Sequence, residues 1–137
     1  MSPSEYCTQE LRCSDTVTAS TVNCPTVGGR DCGTIALLGG VWIYFISDID
    51  ARVTASLCGG LNLSYFYTII EVYQDSVEGV CVGSNDDHSS CTSYQSFIKF
   101  DAVEREKYIV LVTGYDGSEG TFTLLVECYQ PSLDSLP

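Results

Sequence analysis

Acidic side chains outnumber basic ones 18 to 6 in this chain of 137 residues, leaving a formal charge of −12. Such a field repels nucleic acid and anionic membrane surfaces, and the longest apolar run, Val41 to Ile46, is far too short to cross a bilayer. Divalent cations, basic partners and plain solubility stay open. One domain fits the length, and 45% hydrophobic with 11% aromatic residues is enough to fill a core.

Residues 1–15 read as a polar N-terminal arm holding two cysteines. From there the apolar segments are short, β-branched or aromatic, and divided by Gly, Asp, Asn and Ser clusters. The pattern predicts strands over Thr16–Val22, Thr34–Leu38, Val41–Ser47, Arg52–Leu57, Phe66–Tyr73, Gly79–Gly83, Gln95–Phe100, Lys107–Thr113 and Gly120–Cys128. Val53, Ala55 and Leu57 alternate with Arg52, Thr54 and Ser56; Phe122, Leu124, Val126 and Cys128 share one face of the last strand. Trp42 to Ile46 and Tyr108 to Val112 are instead apolar on both faces, as expected of central strands or of strands that meet another chain. Gly39-Gly40, Ser47-Asp48, Gly59-Gly60, Asp86-Asp87 and Asp116-Gly117 suit the tight connections. Such a series argues an all-β, two-sheet antiparallel sandwich of jelly-roll type over residues 16–128, with a Pro- and Ser-containing tail over 129–137.

Eight cysteines, at 7, 13, 24, 32, 58, 81, 91 and 128, include no CxxC pair, and His88 is the lone histidine. Structural zinc needs ligands close in sequence, so an even set at irregular spacing reads as disulfides formed in an oxidising, extracellular compartment. Two local pairs are expected. Cys81–Cys91 would bracket an acidic turn, and Cys24–Cys32 would close the loop containing Gly28-Gly29. Cys7, Cys13, Cys58 and Cys128 would then tie the arm to the sandwich, in a pairing that spacing does not fix. The opening MSPSEYCTQE has no basic region followed by an apolar run, so the chain is read as a mature or recombinant form whose export signal came from elsewhere.

Seven segments occur in the order of a known family. They are Gly40-Val41-Trp42-Ile43-Tyr44-Phe45, Val53 to Cys58, Phe66 to Tyr73, Cys81-Val82-Gly83-Ser84-Asn85-Asp86-Asp87, Ser96 to Phe100, Tyr108 to Gly114 and Gly120 to Leu124. Together they resemble the bacterial pre-peptidase C-terminal domain in a cysteine-rich extracellular form. The resemblance implies a jelly-roll sandwich without catalytic activity, of a kind that trails secreted proteases and in some relatives binds calcium or fibrous substrates. Tyr67 stands where the family has an Asp, and no protease accompanies the domain in this sequence.

Catalysis finds little support. His88, Ser89, Ser90, Asp86 and Asp87 are consecutive, and neighbours on one loop do not converge as a nucleophile, base and orienting acid must. There is no GxSxG elbow, and paired cysteines leave no thiolate nucleophile. The turn Asn85-Asp86-Asp87 is the candidate calcium site, with Asp48, Asp50 or Asp116 as distant ligands; the competing reading has Asn85 and Asp86 bonding nearby backbone. Asn62-Leu63-Ser64 is the single N-glycosylation sequon, and the Ser/Thr-rich run Ser14–Thr26 suits either O-glycans or a strand. No cofactor other than calcium is expected. Two functions of different class follow. One is a structural subunit that joins copies of itself in an extracellular filament, coat or adhesive layer. The other is a module binding glycans or fibrous protein through exposed tyrosines, with Tyr65, Tyr67, Tyr73, Tyr94 and Tyr115 as candidates.

Overall fold

The computed structural model describes residues 7–24, 39–58, 68–75, 80–85, 96–114 and 119–130. Nine strands form within them: β1 (Thr8–Leu11), β2 (Thr16–Ser20), β3 (Val41–Ile46), β4 (Ala51–Ser56), β5 (Thr68–Gln74), β6 (Cys81–Asn85), β7 (Phe97–Ala102), β8 (Lys107–Gly114) and β9 (Thr121–Tyr129). They make two sheets, ordered β1-β3-β8-β5-β6 and β2-β9-β4-β7. All pairs are antiparallel except β1 with β3. The expected two-sheet sandwich is therefore present. The expected strand at Thr34–Leu38 lies outside the described residues.

Period-two patterning builds the core between the sheets. Val41, Ile43 and Phe45 of β3 and Val110 and Val112 of β8 face Val53 and Ala55 of β4, Ile98 and Phe100 of β7, and Phe122, Leu124 and Val126 of β9, all buried. Aromatic rings bridge the two layers. Phe100 of the four-stranded sheet meets Phe45 edge-on at 6.3 Å and Tyr108 at 5.4 Å, the spacings such pairs prefer. The Tyr108 hydroxyl accepts the Val103 N–H at 2.9 Å, which holds the turn after β7 against β8.

The two strands read as apolar on both faces are both interior to their sheet. β8 lies between β3 and β5, and β3 between β1 and β8. On the outer side of the five-stranded sheet Ile69, Glu71, Tyr73, Ile109, Leu111 and Thr113 are buried as well. The apolarity of β8 thus serves this chain, whereas on the outer face of β3 Trp42 and Tyr44 are half-buried and Ile46 is exposed.

The segment expected as an arm tied by disulfides contains, from residue 7 onward, the strand β1. After β1 the chain turns tightly: Ser14 adopts a φ of 72°, Asp15 N–H donates to Arg12 O at 3.1 Å, and the Asp15 carboxylate accepts the Arg12 N–H at 2.9 Å. That turn carries the chain from one sheet to the other, so β1 and β2 each close an edge of a different layer.

Candidate functional site

The cysteines show how the sequence ends are held. Cys7 pairs with Cys24 and Cys13 with Cys128. The expected Cys24–Cys32 bridge does not form. A turn in which Cys24 N–H donates to Thr21 O at 3.1 Å brings Cys24 back beside the foot of β1, within 5.7 Å of Cys7 between Cα atoms. Proximity in space overrides proximity in sequence. Cys58 and Cys81 are also in disulfides, and no described cysteine is free. Cys32 and Cys91 lie outside the described residues, so the Cys81–Cys91 expectation does too.

Of the acidic turn, Asn85 is described and Asp86 and Asp87 are not. Asn85 closes β6, and its side-chain oxygen accepts the Phe97 N–H at 3.1 Å. The bond crosses from the five-stranded sheet to the four-stranded one. Beside it, buried Thr68 and Ser96 make a second crossing: their hydroxyls are 2.8 Å apart, and Ser96 Oγ donates to Thr68 O at 2.7 Å. Asn85 thus has a structural task as part of a polar seam. Asp50, a suggested distant ligand, accepts the Glu104 N–H at 2.8 Å, and Asp48 is exposed. Among the described residues no three of His, Cys, Asp and Glu are close enough to hold a metal ion.

The remaining sequence candidates divide sharply. Tyr73 is fully buried and donates to Glu71 Oε1 at 3.0 Å, so it offers no ring to a ligand. Tyr65, Tyr67, Tyr94 and Tyr115, the sequon at Asn62, Asp116, and His88 with its neighbouring serines are outside the described residues. Sequence reasoning passed over a shallow concavity of about 160 Å³ where Glu10, Leu11 and Arg12 meet Tyr44 and Ile46. Lys107 Nζ stands 5.7 Å over the Tyr44 ring, near enough for a cation–π contact. No periodic pattern in β1 could have shown it.

The sandwich's edges are its other distinctive surface. β2 and β7 end the four-stranded sheet, and each pairs with a strand on one side only among the described residues. The outer face between them is polar, with Thr16, Thr18, Arg52, Lys99, Asp101, Thr121 and Glu127 exposed. Thr18 and Thr123 Oγ1 atoms touch across strands at 3.0 Å.

This combination defines a small, disulfide-braced two-sheet β-sandwich. The fold is similar to that of the pre-peptidase C-terminal domain of a collagenase from Bacillus anthracis, with a TM-score of 0.58 and 14% identity over 88% of this chain and 94% of that one. PliG of Aeromonas hydrophila, a periplasmic inhibitor of g-type lysozyme, overlaps 89% of this chain and 99% of its own at 10% identity, with a TM-score of 0.48. The sequence matches no family model and no curated protein. At such identity the likeness is one of fold, and at that level the resemblance read from the seven sequence segments holds.

Proposed function

We propose that this chain is a non-catalytic extracellular building block that joins copies of itself in a filament, coat or adhesive layer. The observation that carries this reading is the four-stranded sheet, whose two terminal strands each have one strand neighbour among the described residues. An unpaired edge is a row of backbone donors and acceptors ready for another strand. The disulfides support an oxidising compartment and a structure that keeps its shape outside a cell. Electron microscopy with light scattering of the native material tests the reading. Polymer or oligomer is expected; a monodisperse monomer at high concentration overturns it.

The concavity beside Tyr44 favours a second reading, a module that binds a glycan or a fibrous protein. A ring with an acidic and a basic side chain at its rim suits a polyhydroxylated or peptide ligand. The similarity to a domain of a collagenase adds support. A glycan array and a collagen pull-down test it, with Tyr44→Ala expected to abolish the signal.

A further inference from the structure

We propose that the outer edge of β2, which no second described strand pairs, is the contact between copies: two β2 strands pair antiparallel about Thr18 across a two-fold axis, joining two four-stranded sheets into one. This inference rests on the self-association reading and names its surface.

The phase of the β2–β9 ladder comes first. Val126 N–H donates to Asp15 O at 3.0 Å and Thr21 N–H to Gly120 O at 2.9 Å, with Thr16 to Ser20 paired against Leu125 to Thr121 between them. In an antiparallel pair, bonded positions alternate with non-bonded ones. Val17, Ala19 and Thr21 therefore turn their backbone groups towards β9, as Asp15 does its carbonyl. Thr16, Thr18 and Ser20 turn theirs the other way, where no described strand lies, although the Ser20 carbonyl oxygen there meets Cys24 Sγ at 3.4 Å.

The opposite edge is guarded, whereas along β2 only the Ser20 end meets another described residue on its outer side. Leu57 N–H donates to Ser96 O at 2.9 Å, which by the same alternation leaves Phe97, Lys99 and Asp101 facing outward on β7. There the Phe97 N–H is taken by Asn85, while Lys99 and Asp101 put exposed charge on the edge, a common device against strand addition. The sequence of β2, Thr-Val-Thr-Ala-Ser, has neither charge nor proline.

The edge is also self-complementary. An antiparallel register about Thr18 sets Thr18 against Thr18 of the second copy, Thr16 against its Ser20, and Val17 against its Ala19. The first two pairings place the outward-turned backbone groups opposite one another. Val17 and Ala19 already pack on the core while remaining half-buried, and apolar side chains from a second copy would cover them. The Thr18–Thr123 hydroxyl contact would continue as a row across the joined face. A two-fold axis makes such a contact close on itself, so β2 pairing yields the dimer from which a filament or coat is built through a second contact. Because each copy carries a formal charge of −12, screening salt strengthens a pairing made by backbone bonds.

Sedimentation and backbone amide exchange on the native protein, over a concentration series at low and high salt, test the proposal together with Thr18→Lys. The expected result is association that tightens with salt, exchange at Thr16, Thr18 and Ser20 that slows as it proceeds, and a loss of about tenfold or more in affinity for Thr18→Lys with the melting temperature kept. Association with these amides still exchanging freely overturns the β2 contact and leaves self-association standing. A monomer at every concentration overturns both. Should Thr18→Lys fail to fold, amide exchange on the native protein decides alone. Protection that appears only when a different protein is added overturns the second copy as occupant.

Discussion

Cys13 and Cys128 are bonded across a sequence separation of 115 residues, linking the turn between β1 and β2 to the last strand. Cys7 and Cys24 enclose only 17, fastening the foot of β1 to the turn after β2. By the chain-entropy argument, closing the long loop restricts the unfolded chain by about 5 kcal/mol and closing the short one by about 3 kcal/mol. Replacing both members of each pair by Ala is expected to lower stability in that order, with the Cys13/Cys128 pair the more damaging by about 1–2 kcal/mol. Urea unfolding of the two double variants measures it. The reverse order would mean that the buried Cys7 and Cys24 contribute chiefly through packing.

Tyr73 and Glu71 lie two residues apart on β5, hence on one face, and both are fully buried on the outer side of their sheet. Tyr73→Phe keeps the ring and withdraws the donor from Glu71 Oε1. Taking a hydrogen bond from a buried carboxyl costs about 1–3 kcal/mol, so a drop of that size in thermal or urea stability is expected. Surface binding of any kind should be unchanged, since the hydroxyl does not reach solvent. A neutral Tyr73→Phe would contradict the pairing.

How much of this was legible beforehand differs from element to element. The two-sided apolarity of Tyr108 to Val112 fitted either a central strand or one that meets another chain, and β8 is interior to its sheet with both faces buried. In β1, by contrast, Leu11 is the lone fully buried position of Thr-Gln-Glu-Leu. Nothing periodic marks it as a strand; pairing with β3 and two adjacent disulfides hold it there. Tyr73 looked available to a ligand because strand alternation cannot tell a covered outer face from a bare one. Asn85 was recognisable as a turn-forming residue, but its partner Phe97, on the other sheet, follows from the folding of the whole sandwich.

Asn85 supplies the next prediction. Asn85→Ala leaves the Phe97 N–H without its acceptor at the seam between sheets and should cost about 1–2 kcal/mol. Asn85→Asp keeps an oxygen at that place and should cost less. If the side chain acts through Phe97, the loss in Asn85→Ala is the same in chelator as in calcium-containing buffer. A loss seen only with calcium present would assign Asn85 to an ion instead.

Gly40 opens the first of the segments that resemble the pre-peptidase C-terminal domain, and the packing gives the reason for a glycine there. A Cβ at this position would stand 2.9 Å from Leu111 Cδ1, 3.0 Å from the Val112 carbonyl oxygen and 3.3 Å from Thr113 Cβ. The leucine methyl can swing aside, but the carbonyl belongs to the interior strand β8 and cannot move without disturbing its pairing with β3 and β5. Thr113 is fixed as well, since its hydroxyl donates to Gly39 O at 3.0 Å. Overpacking of this kind typically costs about 1–3 kcal/mol. Gly40→Ala should therefore destabilise by that amount, while Gly83→Ala should cost less, because among the described residues the added methyl would meet Ile98 Cδ1 at 2.9 Å and Ile98 Cγ1 at 3.7 Å, the far end of a flexible side chain. Comparing the two unfolding curves decides it: equal losses would show that the β3–β8 contact yields more readily than a backbone carbonyl on an interior strand should.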